Sequence, residues 1–120
     1  MTTDEIAKGL VALCKEMKFD EAMEKYYSND IVSIEPRPGE MQRTEGIEAV
    51  KGKGGWWMAN HEIHSFSTEG PYINGDQFAV KFEIDVTFKP TGQRNKGAEI
   101  GVYTVKHGKI IEEVFMNEGL

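Results

Sequence analysis

Between Phe78 and Lys89 the chain reads Phe-Ala-Val-Lys-Phe-Glu-Ile-Asp-Val-Thr-Phe-Lys, a large hydrophobe at every second position with mostly polar residues between. Phe78, Val80, Phe82, Ile84, Val86 and Phe88 fall on one side, and Lys81, Glu83, Asp85, Thr87 and Lys89 on the other. A period of two leaves little room for a helix. At ~3.3 Å per residue the segment spans roughly 40 Å, so a bent strand, central in a sheet, is expected. Its apolar face needs a cover, which the N-terminal third of the chain can supply.

In that third, Thr2-x-x-Glu5 has the form of a capping box, and Ile6, Leu10, Leu13 and Met17 follow at helical spacing. Phe19 and Asp20 offer a staple and a cap for a short second helix from Glu21 to about Tyr27, with Ala22, Met23, Tyr26 and Tyr27 as its apolar side and Asn29-Asp30 as its stop. Ile31 to Glu35 is expected to be a short strand that Pro36 and Pro38 prevent from continuing. Thr44 is placed to cap a third helix whose stripe is Ile47, Val50, Gly54 and Trp57. Gly52, Gly54 and Gly55 each weaken that helix by roughly 1 kcal/mol relative to alanine. They imply either close packing or a mobile segment beside a cavity.

From His61 onward the pattern is strand and turn. His61 to Glu69 alternates, Gly70-Pro71 marks a bulge or bend, and Asn74-Gly75 is a hairpin signal into the Phe78 strand. Lys96 to Val105 and Lys109 to Met116 make two more strands around Lys106-His107-Gly108. A three-residue loop there, with Gly108 left-handed, pairs Val105 with Lys109 and sets Glu99, Gly101 and Tyr103 on one face with Ile111, Glu113 and Phe115. The fold class is α+β: three helices in the concave face of a strongly curved, antiparallel or mixed sheet, one domain over residues 1–120. Such a cone tends to hold a ligand cavity.

A net charge of -6 opposes nucleic acid and anionic membranes as partners, since both demand concentrated positive surface. The single cysteine, Cys14, excludes an internal disulfide and suits a small core position. No apolar run approaches a membrane span, and Met-Thr-Thr-Asp-Glu has no signal-peptide character, so a cytoplasmic location is expected.

Asp30-Ile-Val-Ser-Ile-Glu-Pro36, Thr44-Glu-Gly-Ile47, Phe78 to Thr87 and Glu99 to Ile111, in this order of helices and strands, resemble the SnoaL-like branch of the nuclear transport factor 2-like superfamily across essentially the whole chain. The resemblance implies a conical pocket and a homodimer formed through the outer face of the sheet. Ketosteroid isomerases of this shape keep their base carboxylate just before a proline after the first strand, where Glu35 precedes Pro36 here. Their two oxyanion donors fall on Leu10 and Gly101, neither of which can donate from a side chain. In polyketide cyclases of similar shape a pocket carboxylate acts as acid and base.

The candidate chemistry follows from the acids expected to face inward. Glu35 at an apolar cavity is disfavoured in its charged form, which suits a general base near neutral pH. Its plain alternative is a strand-end glutamate paired with Arg37 or Arg43. Glu99 and Glu113, on adjacent strands, need a hydrogen-bond donor, and Tyr103 is the neighbour expected to supply it. Trp56, Trp57, Phe82, Ile84 and Phe115 either line a substrate pocket or pack the core. His61 is a candidate acid or base at the mouth; His64, three residues on, points to the opposite face of a strand, so the two do not share a metal. No phosphate loop, zinc spacing or nucleophile elbow occurs in the chain, and no cofactor or metal is expected. Two functions remain open: a cofactor-independent isomerase, cyclase or dehydratase acting on a small apolar oxygenated molecule, and a non-catalytic ligand-binding or dimeric scaffold protein.

Overall fold

The structure is a computed structural model, and it describes residues 1–117. Helix α1 spans Thr3–Lys15 and opens with the capping box: the Glu5 N–H donates to the Thr2 hydroxyl at 3.2 Å while the Glu5 carboxylate accepts from the Thr2 N–H at 3.1 Å. Ile6, Ala7, Leu10, Val11 and Cys14 make its buried side. Helix α2, Phe19–Tyr26, begins earlier than expected. Lys18 holds the cap position without a side-chain bond, and Asp20 lies inside the first turn, where its charge favours the positive end of the helix dipole.

Gly9 lets these helices meet. A Cβ there would stand 1.8 Å from the Tyr26 hydroxyl oxygen and 2.5 Å from the ring carbon bearing it, and Tyr26 is itself buried. Gly9→Ala is therefore expected to destabilise the fold by about 1–3 kcal/mol even though alanine is the better helix former by about 1 kcal/mol. Urea unfolding measures this, and Tyr26→Phe should recover part of the loss; an unchanged midpoint in Gly9→Ala would refute the contact.

Tyr27 does not end α2 but starts strand β1, Tyr27–Ile34, so Asn29 and Asp30 lie within a strand rather than stopping a helix. Arg43–Glu45 form a short strand β2 paired antiparallel with β1. Thr44 is in that strand, and Gly46, at φ 90°, takes the cap position of helix α3, Ile47–Asn60. The backbone needs a left-handed turn at residue 46 to leave the strand, which a threonine cap cannot make. A Cβ at Gly52 or Gly55 would meet nothing within 4 Å, and one at Gly54 only the tip of Met23 at 3.6 Å, so close packing does not account for this glycine run.

Strands β3 (His61–Asn74), β4 (Gln77–Phe88), β5 (Gln93–Lys106) and β6 (Lys109–Asn117) complete a six-stranded open sheet in the order β2-β1-β6-β5-β4-β3. Only β1 and β6 run parallel, which makes the sheet mixed. The Phe78–Phe88 strand lies between β5 and β3, with Phe78, Val80, Phe82, Ile84 and Val86 buried under the helices. Pairing in β3 breaks between Glu69 and Tyr72, at the Gly70-Pro71 bond, which is cis.

The last hairpin differs from expectation in a way that matters. Lys106 pairs with Lys109 through a two-residue turn, His107-Gly108, both left-handed at φ 53° and 74°. Alone this would turn Glu113 outward, but a bulge after Thr104 shifts the register and sets Tyr103 opposite Glu113 and Gly101 opposite Phe115. Glu113 and Phe115 thus keep their expected side; Ile110, fully buried, replaces Ile111 in the core.

Candidate functional site

Between the helices and the concave face of the sheet lies a cavity of about 940 Å³. Helices α1 and α2 contribute Leu10, Cys14, Phe19 and Met23, and the 35–42 segment borders it. All the residues proposed from sequence reach its wall: Glu35, Trp56, Trp57, His61, Phe82, Ile84, Glu99, Tyr103, Glu113 and Phe115. The side of the cavity formed by β3 and β4 is aromatic and aliphatic. Phe82 and Phe66 lie 5.7 Å apart, Phe19 meets Phe66 edge-on at 5.3 Å, and Ile84 and Val86 continue the surface. Trp57 stacks on His61 at 4.4 Å, and the His61 Nδ1–H donates to the Trp57 carbonyl at 2.7 Å, closing α3 onto β3. Trp56 is largely exposed. His64 lies outside, its Nε2 bonded to the Thr87 hydroxyl at 2.7 Å.

A polar cluster stands against this apolar wall. Ser33 and Glu113 are adjacent across the parallel β1–β6 pair, and both are buried. Tyr27 donates its hydroxyl to the Glu113 carboxylate, and the neighbouring Ser33 hydroxyl also favours the charged form of that carboxyl. The Lys53 ammonium donates to Ser33 and to Glu35, the latter at 3.1 Å, and lies 5.7 Å from the Phe115 ring centre. The sequence reading does not anticipate Lys53, although its place three after Val50 and four before Trp57 puts it on the inward stripe of α3. Stripe position was the available signal; a lysine among glycines reads as solvated unless two acids wait opposite.

Tyr103 does not serve the acids as expected. Asn117 donates to Glu99, at 3.4 Å, while Tyr27 donates to Glu113. The Tyr103 ring stacks on Phe78 at 4.9 Å, is almost fully buried, and its hydroxyl has no partner among the described residues.

Burial raises the Glu113 carboxyl above its ordinary range, and raises the Tyr27 and Tyr103 phenols, with the Glu113 charge adding to both. The Cys14 thiol, at the cavity wall, is pushed up to about 12, again mainly by burial. Glu99 is raised to about 7, first by burial and then by the Glu35 charge, against the lowering influence of Asn117 and Lys53. The folded chain holds this proton up to about pH 7, whereas the unfolded chain releases it near 4.5. The folded state therefore binds more protons across that window, and stability falls as pH rises through it. A loss of about 2–3 kcal/mol between pH 4.5 and 7 is expected from this group. Urea titrations of the protein and of Glu99→Gln should diverge across that interval; parallel curves would contradict it.

Among the described residues no helix is long and apolar enough to cross a membrane. A family model described as SnoaL-like domain matches residues 1–117. A protein from Mesorhizobium loti, described as a candidate SnoaL-like polyketide cyclase with the added words carbohydrate phosphatase, is 51% identical, with 97% of this chain and 99% of that chain covered and a TM-score of 0.93. A candidate isomerase from Bacillus subtilis shares the fold at 20% identity and a TM-score of 0.76, over 98% of this chain and 90% of that one. So does a protein of unknown function with a cystatin-like fold from Xanthomonas campestris, at 20% identity and a TM-score of 0.81, over 99% and 92%. No curated protein matches the chain. On this fold, this match along residues 1–117 and this identity, the chain belongs to the SnoaL-like domain family.

Proposed function

We propose that the chain is a cofactor-independent proton-transfer enzyme, an isomerase, cyclase or dehydratase, acting on a small and largely apolar oxygenated molecule, with Glu99 as its acid and base. The observation that carries this reading is the Glu99 carboxyl itself. It faces an apolar cavity, is held near pH 7, and has one long hydrogen bond from Asn117. A carboxylate of that strength removes a proton from an activated C–H and returns it with comparable ease at neutral pH. Glu35, the base suggested by its place before Pro36, is instead the ion-pair partner of Lys53, and its charge helps to keep the proton on Glu99. Glu113 is buried and accepts the Tyr27 hydroxyl, which makes it a fixed part of the wall.

The description of the Mesorhizobium loti relative as a candidate polyketide cyclase accords with this, because a polyketide carries acidic C–H bonds between carbonyl groups. Its second description, a carbohydrate phosphatase, asks for positive charge around a phosphate; the cluster here sets Glu35, Glu99 and Glu113 against Lys53. The test is hydrogen–deuterium exchange by proton NMR in D2O, on a panel of cyclic ketones and β-dicarbonyl compounds of one to three rings. Catalysed exchange that is lost in Glu99→Gln supports the reading. Binding of the same compounds without exchange would replace it with the second reading, a ligand-binding protein. That alternative is favoured by the fact that two of the three acids already have strong partners.

The same reading includes a homodimer. On the outer face Ile100 pairs with Met116 and Val102 with Val114, an apolar patch on adjacent strands with Met116 half exposed. Met116→Glu is expected to yield monomers in sedimentation equilibrium, and a monomeric wild type would remove the proposal.

A further inference from the structure

Among the described residues Lys53 is the only lysine on the cavity wall. Its side chain is 14% exposed, whereas Lys8, Lys18, Lys51 and Lys81, the other lysines in ion pairs, keep between 30% and 67%. Holding an ammonium at an apolar cavity is costly, and an apolar side chain of similar volume would fill the place without that cost. Its neighbours are those of an amine that reacts. Nζ donates to the Ser33 hydroxyl and, at 3.1 Å, to the Glu35 carboxylate. A carboxylate within hydrogen-bond reach is the base that frees the electron pair of an amine, and a hydroxyl beside it can pass protons to an attacked oxygen. In water the ammonium and carboxylate form of such a pair prevails. At a low-dielectric cavity both ions lose hydration, and the neutral amine and carboxylic acid come closer in energy.

The glycine run acquires a reason here. Gly54 and Gly55 follow Lys53 and border the same cavity, and a Cβ at Gly55 would meet nothing within 4 Å, so the helix leaves space beside the amine instead of filling it. Phe66, Phe82 and Trp57 on the wall of that cavity offer flat apolar surface to a ligand.

We propose that Lys53 is a covalent carbonyl-binding site: its amine condenses with an apolar aldehyde or unhindered ketone to a reversible imine, with Glu35 taking and returning the proton. This goes beyond the proton-transfer reading, which needs no covalent bond to the ligand. Glu35 accepts a proton from the ammonium across their hydrogen bond. The freed nitrogen pair forms a C–N bond to the carbonyl carbon, and the C=O π pair moves onto the oxygen. A proton passes from nitrogen to that oxygen by way of Ser33 and gives a carbinolamine. Glu35 then returns its proton to the hydroxyl, the C–O bond breaks, water leaves, and the nitrogen pair closes the C=N bond of an iminium. The iminium carries the same single charge as the ammonium, so the pairing with the Glu35 carboxylate survives capture, and water releases the ligand by the reverse path.

The test incubates the full chain with 2-naphthaldehyde and sodium cyanoborohydride, which reduces an iminium to a stable secondary amine, and locates the adduct by peptide mass spectrometry. An adduct on Lys53 is expected to form at least about tenfold faster than on any exposed lysine, because the cavity holds the aldehyde against the amine. Lys53→Arg keeps the charge and the ion pair but has no amine to condense, so it should lose that adduct, with its urea midpoint reporting that the fold is kept. 2-Naphthalenemethanol, of the same shape without a carbonyl, should protect Lys53 competitively; this arm uses the parental chain and does not depend on a variant. Labelling spread evenly over the surface lysines, or labelling of Lys53 that the alcohol does not slow, overturns the proposal. Either result leaves the proton-transfer reading untouched, since exchange at Glu99 decides that separately. A protected Lys53 adduct in a protein that exchanges no ketone keeps the carbonyl site and removes the exchange chemistry.

Discussion

Glu99→Gln is expected to lower the rate of carbon-bound hydrogen exchange by about 10²–10⁴-fold, the usual contribution of a positioned acid or base. The glutamine keeps the size of the side chain and its contact with Asn117, so ligand affinity should change far less than turnover. In the parent protein the rate should rise with pH and level off above a midpoint near 7, because the carboxylate is the form that accepts the proton. Stopped-time proton NMR in D2O at a series of pH values measures both quantities. A Glu99→Gln protein that exchanges at the parental rate would transfer the role elsewhere in the acid cluster.

Lys53→Met should have the second large effect, on stability and on the same pH midpoint. Lys53 neutralises Glu35 and bonds Ser33 from a position that is mostly buried, so its removal leaves an uncompensated carboxylate facing an apolar cavity. We expect a loss of about 1–3 kcal/mol, below the value for a fully buried pair because Glu35 retains some contact with solvent. Lys53 lowers the proton affinity of Glu99 and Glu35 raises it. The exchange midpoint should therefore move above 7 in Lys53→Met and below 7 in Glu35→Gln. The double variant should be more stable than Lys53→Met alone, since the orphaned charge is then gone. Urea unfolding and the pH profile decide the matter, and an unshifted midpoint with full stability would show that the ion pair is ornamental to the site.

Much of the architecture was legible because it depends on local periodicity. The alternation from Phe78 to Phe88 made a strand unavoidable, and the Thr2–Glu5 capping box with its apolar stripe made α1 equally plain. Segment ends were less legible. Tyr27 suits a helix stripe and a strand start equally well, and its assignment to β1 came from pairing with Ile110 on the distant β6. Thr44 is a good cap in isolation, yet β1 recruited it into a ladder opposite Ser33.

The candidate site shows the same division. That Glu99, Tyr103, Glu113 and Phe115 share an inward face follows from a period of two and a three-residue loop, where the chain instead uses a two-residue turn and a bulge. Either device gives the same parity, and sequence spacing cannot tell them apart.

The sequence by itself determined the elements, the curved wall and the set of acids carried on it, because alternation and helical spacing are properties of neighbouring residues. Only the tertiary structure decided which acid stays free. Lys53 reaches Glu35 and Ser33, Tyr27 reaches Glu113, and Glu99 is left with Asn117 and an apolar cavity. Charge pairing and desolvation act between residues up to 86 positions apart, so the proton affinity of each carboxylate is set by its neighbours in space and not by its neighbours in the chain.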